Sequence, residues 1–234
     1  MSFSIVIPSR NIANLTACVA AIRKSGETAR VIVVNDGIHW DTGWDEASEP
    51  EVYVEQGVKP FSFAANVNLG IRAAGRDNVL ILNDDALLET PRGFSLMVEH
   101  LGCAAEGWGI LACSTNVTGY PLQQRRPCPH QRRLREVPFA AFIGVLIPRR
   151  TIDVVGLLDE RFAGPGVYGG EDVDYCLRVR AAALKVGVSD FCFVDHSKLP
   201  STFRAAKAGN NAPGDITESN RLGREKWGNE WPHR

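Results

Sequence analysis

Val79-Leu80-Ile81-Leu82-Asn83-Asp84-Asp85 is a short apolar run that stops abruptly at an amide and two carboxylates. It is too short for a helix and has no 3.6-residue period, so it predicts a buried strand of a parallel sheet. Such strands end at the sheet edge where open α/β folds bind ligands. Two acids placed there can hold a metal ion. They can equally cap the helix expected from about Pro91 or close a turn. The residues alone leave both open.

The chain before this stretch repeats its design. Ser4-Ile5-Val6-Ile7-Pro8 is a strand closed by proline, followed by a helix carrying Leu15, Cys18, Val19 and Ile22 on one face. Arg30 to Val34 is a second β-branched run, and it ends in Asn35-Asp36-Gly37. Val52-Tyr53-Val54 is a third strand, and Phe63 to Ala74 a helix. Strands alternating with helices predict a mostly parallel sheet with right-handed crossovers.

Beyond the acids, a helix to Cys103, a strand over Gly109–Cys113 and an apolar, strand-like Val137–Pro148 are expected. Gly119 to Glu136 interrupts the pattern with prolines and with Arg125, Arg126, Arg132, Arg133 and Arg135 around His130. That loop reads as a solvated excursion or as a clamp on phosphates, for which arginine geometry is suited. A glycine-dense loop, Gly164 to Gly170, precedes Glu171-Asp172-Val173-Asp174, three acids in the first turn of a helix. The helix dipole alone would favour acids there. A last strand, Gly187 to Val194, leads into Asp195-His196, and a modest helix is expected over Ile216 to Trp227.

With 234 residues and no change of composition along its length, the chain is expected to form one domain. A formal charge of −1 gives no global attraction to nucleic acid or anionic membrane, so any polyanion site must be local. Six cysteines without a CxxC pair fit reduced core thiols. No basic leader and no apolar span of bilayer length is read, so no membrane span and a cytoplasmic location are expected. The composition fixes no oligomeric state.

Five stretches in order resemble the GT-A glycosyltransferases, in particular their large family-2 group: Ile5 to Asn11, Val33 to Gly37, Asn66 to Ile71, Leu80 to Asp85 and Gly170 to Arg178. The tail Asn220 through Lys226-Trp227-Gly228 is also similar. The resemblance implies a Rossmann-like, mostly parallel sheet flanked by helices with a smaller acceptor-side region. Residues 1–114 would form the nucleotide-sugar half, 115–199 the acceptor and catalytic half, and 200–234 a tail.

It further implies a nucleotide-sugar donor, with a UDP-sugar favoured, and a saccharide or glycoconjugate acceptor. Mn²⁺ or Mg²⁺ would be held by Asp85 and by His196, whose other reading is a loop residue. Asp84 would hold the ribose or orient the site, and Pro8, Ser9 and Arg10 would line base and ribose. Asp36 would accept a hydrogen bond from a base N–H, and Asn66 and Asn68 would contact base or sugar, with packing or capping as their alternative. Asp172 would be the general base of an inverting transfer, and Glu171 would contact the acceptor. Asp174 would brace the helix or bond Arg178. A modified nucleic-acid base is an acceptor that the arginine loop leaves possible without favouring it. Outside this class stand a nucleotidyltransferase, which would carry a glycine in the first strand-helix turn where Ser9 to Asn14 has none, and a noncatalytic nucleotide-sugar-binding module.

Overall fold

The computed structural model describes residues 1–38, 51–103, 107–125, 133–163, 167–201 and 216–232. Along the chain run β1 (Phe3–Ser9), α1 (Ile12–Lys24), β2 (Arg30–Asn35), β3 (Val52–Gln56), α2 (Phe63–Ala73), β4 (Asn78–Leu82) and β5 (Leu87–Leu88). There follow α3 (Gly93–Cys103), β6 (Trp108–Thr115), β7 (Leu134–Glu136), β8 (Gly144–Ile147), α4 (Arg149–Val155), α5 (Glu171–Ala181), β9 (Lys185–Asp195) and α6 (Ile216–Trp227).

The strands form one sheet in the order β3-β2-β1-β4-β8-β6-β9-β5, with β7 also on β9. The first four are parallel, as the alternation of strands and helices predicts. From β8 onward the sheet is mixed: β8 runs antiparallel to both β4 and β6, and β5 and β7 run antiparallel to β9. The expected strand over Val137–Pro148 is correspondingly reduced to β8, with β7 ahead of it. Pro138 has no N–H to give a ladder, and Ala141 N–H is taken by the Gln123 side chain at 2.8 Å instead of by a strand.

Each core strand is buried on both faces, which explains the unbroken apolar runs. In β4, Leu80 and Leu82 pack with α1 and α3, while Val79 and Ile81 pack with α2, α4 and α5 on the other face. Strand periodicity sends successive side chains to opposite layers. Each such fully buried Val, Leu or Ile contributes about 1.5–3 kcal/mol.

Local chemistry sets the helix starts. Asn11 Oδ1 accepts from Ala13 and Asn14 N–H ahead of α1, and Ser62 Oγ accepts from Ala65 N–H ahead of α2. A Cβ on Gly70 would stand 2.2 Å from Val6 Cγ1, so this glycine lets α2 lie directly against β1.

Candidate active site

Because β1, β2 and β4 are adjacent and parallel, Ser9, Asn35-Asp36 and Asn83-Asp84-Asp85 emerge together at one sheet edge. Ser9 Oγ donates to Asp84 Oδ2 at 2.6 Å, tying the ends of β1 and β4. Burial pushes the Asp84 carboxyl up to about 6, Asp85's charge adds to this, and hydrogen bonds from Ser9 and Asn14 oppose it. Neither acid caps α3. Glu27, buried, accepts from the Phe94 and Ser95 N–H groups at 2.8 and 3.0 Å and takes that task.

Asp36 is equally buried. The turn after β2 is held by Asn35, whose Oδ1 accepts from Gly37 and Ile38 N–H, so Asp36 is not needed to close it. Lys59 Nζ donates to Asp36 Oδ1 and to its main-chain oxygen, both at 2.7 Å. Asp36 Oδ2 has no hydrogen-bond partner, and Arg10 Nε stands 3.9 Å from it. Arg10 is exposed and lies over the Phe61 ring, and Pro8 sits within β1 opposite Val34.

The two asparagines of α2 differ. Asn66 Oδ1 accepts from Val58 N–H at 2.8 Å, and its buried Nδ2 has no partner. Asn68 donates to Leu158 O and Glu160 Oε1 and accepts from Leu158 N–H, all at 2.9 Å. Its amide thus locks the segment after α4 to α2, a packing role.

The short β5 on β9 sets Leu87 opposite Asp195 and brings His196 beside Asp85. His196 Nδ1 lies 3.0 Å from Val117 O, and Nε2 lies 3.0 Å from Asp85 Oδ1. A carbonyl oxygen can only accept, so Nδ1 carries a proton, and a neutral ring then turns its Nε2 lone pair on a carboxylate oxygen. Two acceptors face each other at a separation that requires a second proton or a cation. Adjacent ligands of an octahedral ion bound at about 2.1 Å are about 3.0 Å apart, so the pair fits one. Among the described residues no group of three or more His, Cys, Asp or Glu side chains is assembled for a metal. Among the described residues, Asp85 and His196 are a pair that could act as two ligands of an ion that also binds phosphate and water.

Gly170, at φ +92°, turns the chain into α5 where a Cβ would meet Phe162 at 2.8 Å. Asp172 Oδ1 accepts from Val173 N–H at 2.7 Å, and Oδ2 accepts from Tyr120 Oη–H at 2.9 Å. Glu171 Oε2 is buried without a partner. Desolvation pushes both carboxyls well above the ordinary range, and the Asp172 charge adds to the shift of Glu171. A carboxylate lifted toward neutrality is suited to taking a proton.

Asp174 faces away from this pair into a buried network. It accepts from Arg178 Nε at 2.8 Å and from Trp227 Nε1 at 2.8 Å, and Lys226 Nζ lies 2.7 Å from it. Lys226 also reaches Asp159 at 2.8 Å, and Trp231 stacks on Phe162. The Lys-Trp tail is therefore a strut that ties α6 to the helix bearing Asp172.

Two described arginines that flank the loop are anchored. Arg125 Nη1 and Arg135 Nε bond the two oxygens of buried Asp190 in β9 at 2.8 and 2.7 Å. Arg126, His130 and Arg132 lie outside the described residues, as do Gly164 to Gly166. Tyr120, Lys59 and Asp190 were not legible as partners of the site. They lie 52, 23 and 65 or 55 positions from the groups they bond, and no local spacing signals such pairs. Cys18, Cys113, Cys176 and Cys192 are buried free thiols, as expected.

Known proteins bear on this arrangement. In solved structures the fold is similar to GalNAc-T7 with UDP, GalNAc and Mn²⁺, with a TM-score of 0.65 at 12% identity over 84% of this chain and 44% of that one. It is also similar to the mannosyltransferase PcManGT from Pyrobaculum calidifontis in complex with GDP-Man and Mn²⁺, with a TM-score of 0.60 at 13% identity over 87% and 59% of the two chains. The S. aureus protein TarS, residues 1–349, gives a TM-score of 0.57 at 14% identity over 95% and 69%. At these identities the likeness establishes the GT-A fold. A curated relative, the uncharacterized protein y4gI of Sinorhizobium fredii, is 28% identical over 208 residues, and the match covers 76% of this chain but 22% of that protein's length. The model of glycosyl transferase family 2 matches residues 4–145, more than half of the sequence, and the chain belongs to that family.

Proposed function

We propose that the chain transfers a sugar from a nucleoside diphosphate sugar, with UDP as the favoured nucleotide, to a hydroxyl of a saccharide or glycoconjugate, with inversion. The observation that carries the reading is the 3.0 Å approach of His196 Nε2 to Asp85 Oδ1 at the edge where Ser9, Asp36 and Asp84 also end. Two solved relatives of the same fold hold a nucleotide or nucleotide sugar with Mn²⁺. A divalent ion, Mn²⁺ or Mg²⁺, held by Asp85 and His196 would neutralise charge on the departing diphosphate.

The chain's own residues do the rest. Asp36 Oδ2, buried and without a hydrogen-bond partner, accepts from a base N–H, and a single such oxygen suits the lone ring N–H of uracil. Arg10 and Ser9 flank it, and Asp84, held by Ser9, orients the ribose. Asp172 removes the acceptor proton as the acceptor oxygen bonds the anomeric carbon. As that bond forms, the bond from the anomeric carbon to the phosphate oxygen breaks on the opposite face, and its electron pair leaves with the nucleoside diphosphate. Glu171 contacts the acceptor. Residues 1–114 together with His196 serve the donor, and the rest of 115–199 the acceptor. Since Arg125 and Arg135 are spent on Asp190, a nucleic-acid acceptor gains no support from them. No helix among the described residues is long and apolar enough to cross a membrane.

A thermal-shift screen of nucleoside diphosphates with and without Mn²⁺ tests the reading through linkage. UDP with Mn²⁺ should raise the melting temperature more than UDP alone and more than ADP with Mn²⁺. No diphosphate giving a metal-dependent rise would overturn it.

A further inference from the structure

The donor and acceptor sides of the site are joined by one short loop. Its start touches the first: Asn116 Oδ1 accepts from His196 N–H at 2.9 Å, and Val117 O faces His196 Nδ1. Its end touches the second through Tyr120 Oη and Asp172 Oδ2. Tyr120 is itself fixed, because its N–H bonds Thr118 Oγ1 at 3.2 Å and its ring packs near Phe139, against the cluster built on Phe162 and Trp231.

We propose that Tyr120 is a positioning residue for the transfer step: it aims the Asp172 carboxylate at the acceptor and holds it in the ionised form that a base must have. The inference rests on Asp172 being that base. Burial disfavours the charged form of this carboxyl, yet a base that is protonated at working pH cannot accept a proton. The Val173 N–H on Oδ1 and Asp172's own N–H oppose burial from within the helix, and the Tyr120 hydroxyl meets Oδ2 at 2.9 Å. An amide N–H can only donate, so it favours the anion, and it belongs to the same helix and moves with it. The Tyr120 hydroxyl comes from outside the helix and therefore also fixes where Oδ2 points.

The neighbouring ionisable groups do not substitute for it. Glu171 and Cys176 on α5 add negative or neutral surroundings, and Arg178 of α5 and Lys226 of α6 are committed to Asp174.

The test is a carboxyl ¹³C NMR titration of the full chain without ligands, in a Glu171→Gln background so that Asp172 titrates alone. The Asp172 resonance is assigned by its loss in Asp172→Asn. Tyr120→Phe keeps the ring and removes only the hydroxyl. It should raise the Asp172 midpoint by about one pH unit. Placing 2-fluorotyrosine at position 120 makes the hydroxyl a stronger donor while leaving it protonated through the titration, and should lower the midpoint, a reversal that loosened packing cannot produce. An unmoved midpoint, or the same direction in both variants, overturns the proposal. Because the titration needs no donor or acceptor, it stands apart from the base reading, which falls separately if Asp172→Asn retains the transfer activity of the parent.

Discussion

Replacing Asp174 by alanine should be among the most damaging single changes outside the reacting groups. Its side chain is fully buried and meets Arg178 Nε at 2.8 Å, Trp227 Nε1 at 2.8 Å and Lys226 Nζ at 2.7 Å. Removing one member of a buried charge network leaves the others uncompensated and costs about 3–5 kcal/mol. Two features hold the loss to the lower end. Lys226 keeps Asp159 at 2.8 Å, and Arg178 keeps the carbonyls of Val155 and Leu157 at 2.9 Å. We expect about 3 kcal/mol in urea unfolding followed by tryptophan fluorescence, and a melting temperature lower by about 6–12 °C for a domain of this size. Trp227→Phe, which deletes the indole N–H and keeps most of the ring, should cost about 1 kcal/mol. Because the two groups bond each other, the double variant should lose less than the two single losses combined. A loss below about 1 kcal/mol for Asp174→Ala, or simple additivity with Trp227→Phe, would refute the view that this carboxylate ties the tail to α5.

Two further outcomes follow from the donor edge. Asp84 has a folded-state value of about 6 against an ordinary 3.8, so the folded state keeps a proton that the unfolded chain has released. That contribution is full below about pH 4 and is lost as pH rises to about 6, on the order of 3 kcal/mol. Metal-free Asp84→Asn should accordingly be more stable than the parent at pH 8 and equal to it near pH 4, and a pH-independent difference between the two would contradict the cause given. Asp85→Ala and His196→Ala should each weaken UDP binding in the presence of Mn²⁺ at least tenfold by isothermal titration, while leaving metal-free binding unchanged. Full retention by either variant would remove that residue from the metal site.

Much of the fold is written locally. The apolar runs of β1, β2 and β4 are buried on both faces, and the strand period alone sorts Leu80 and Leu82 from Val79 and Ile81. Asn11 and Ser62 mark helix starts by their own side chains. Strand ends in a parallel sheet share an edge, so the sequence alone groups Ser9, Asp36 and Asp84-Asp85. The antiparallel half was less legible, because β8 inserts between β4 and β6 and the short β5 and β7 pair with β9 over long sequence separations.

What the sequence determined by itself is thus the strand-end chemistry: which carboxylates emerge together, and that Glu171 and Asp172 open a helix. The tertiary structure decided how those groups are used. It gave the capping of α3 to Glu27, spent Asn68 on Leu158 and Glu160, and drew Arg125 and Arg135 onto Asp190. It also set Tyr120 on Asp172 and the Lys226-Trp227 tail on Asp174. The reason is physical. A strand or a helix start is fixed by neighbours a few positions away, whereas the partner of a buried polar atom is whatever the packed chain brings within about 3 Å, and no local pattern encodes that distance.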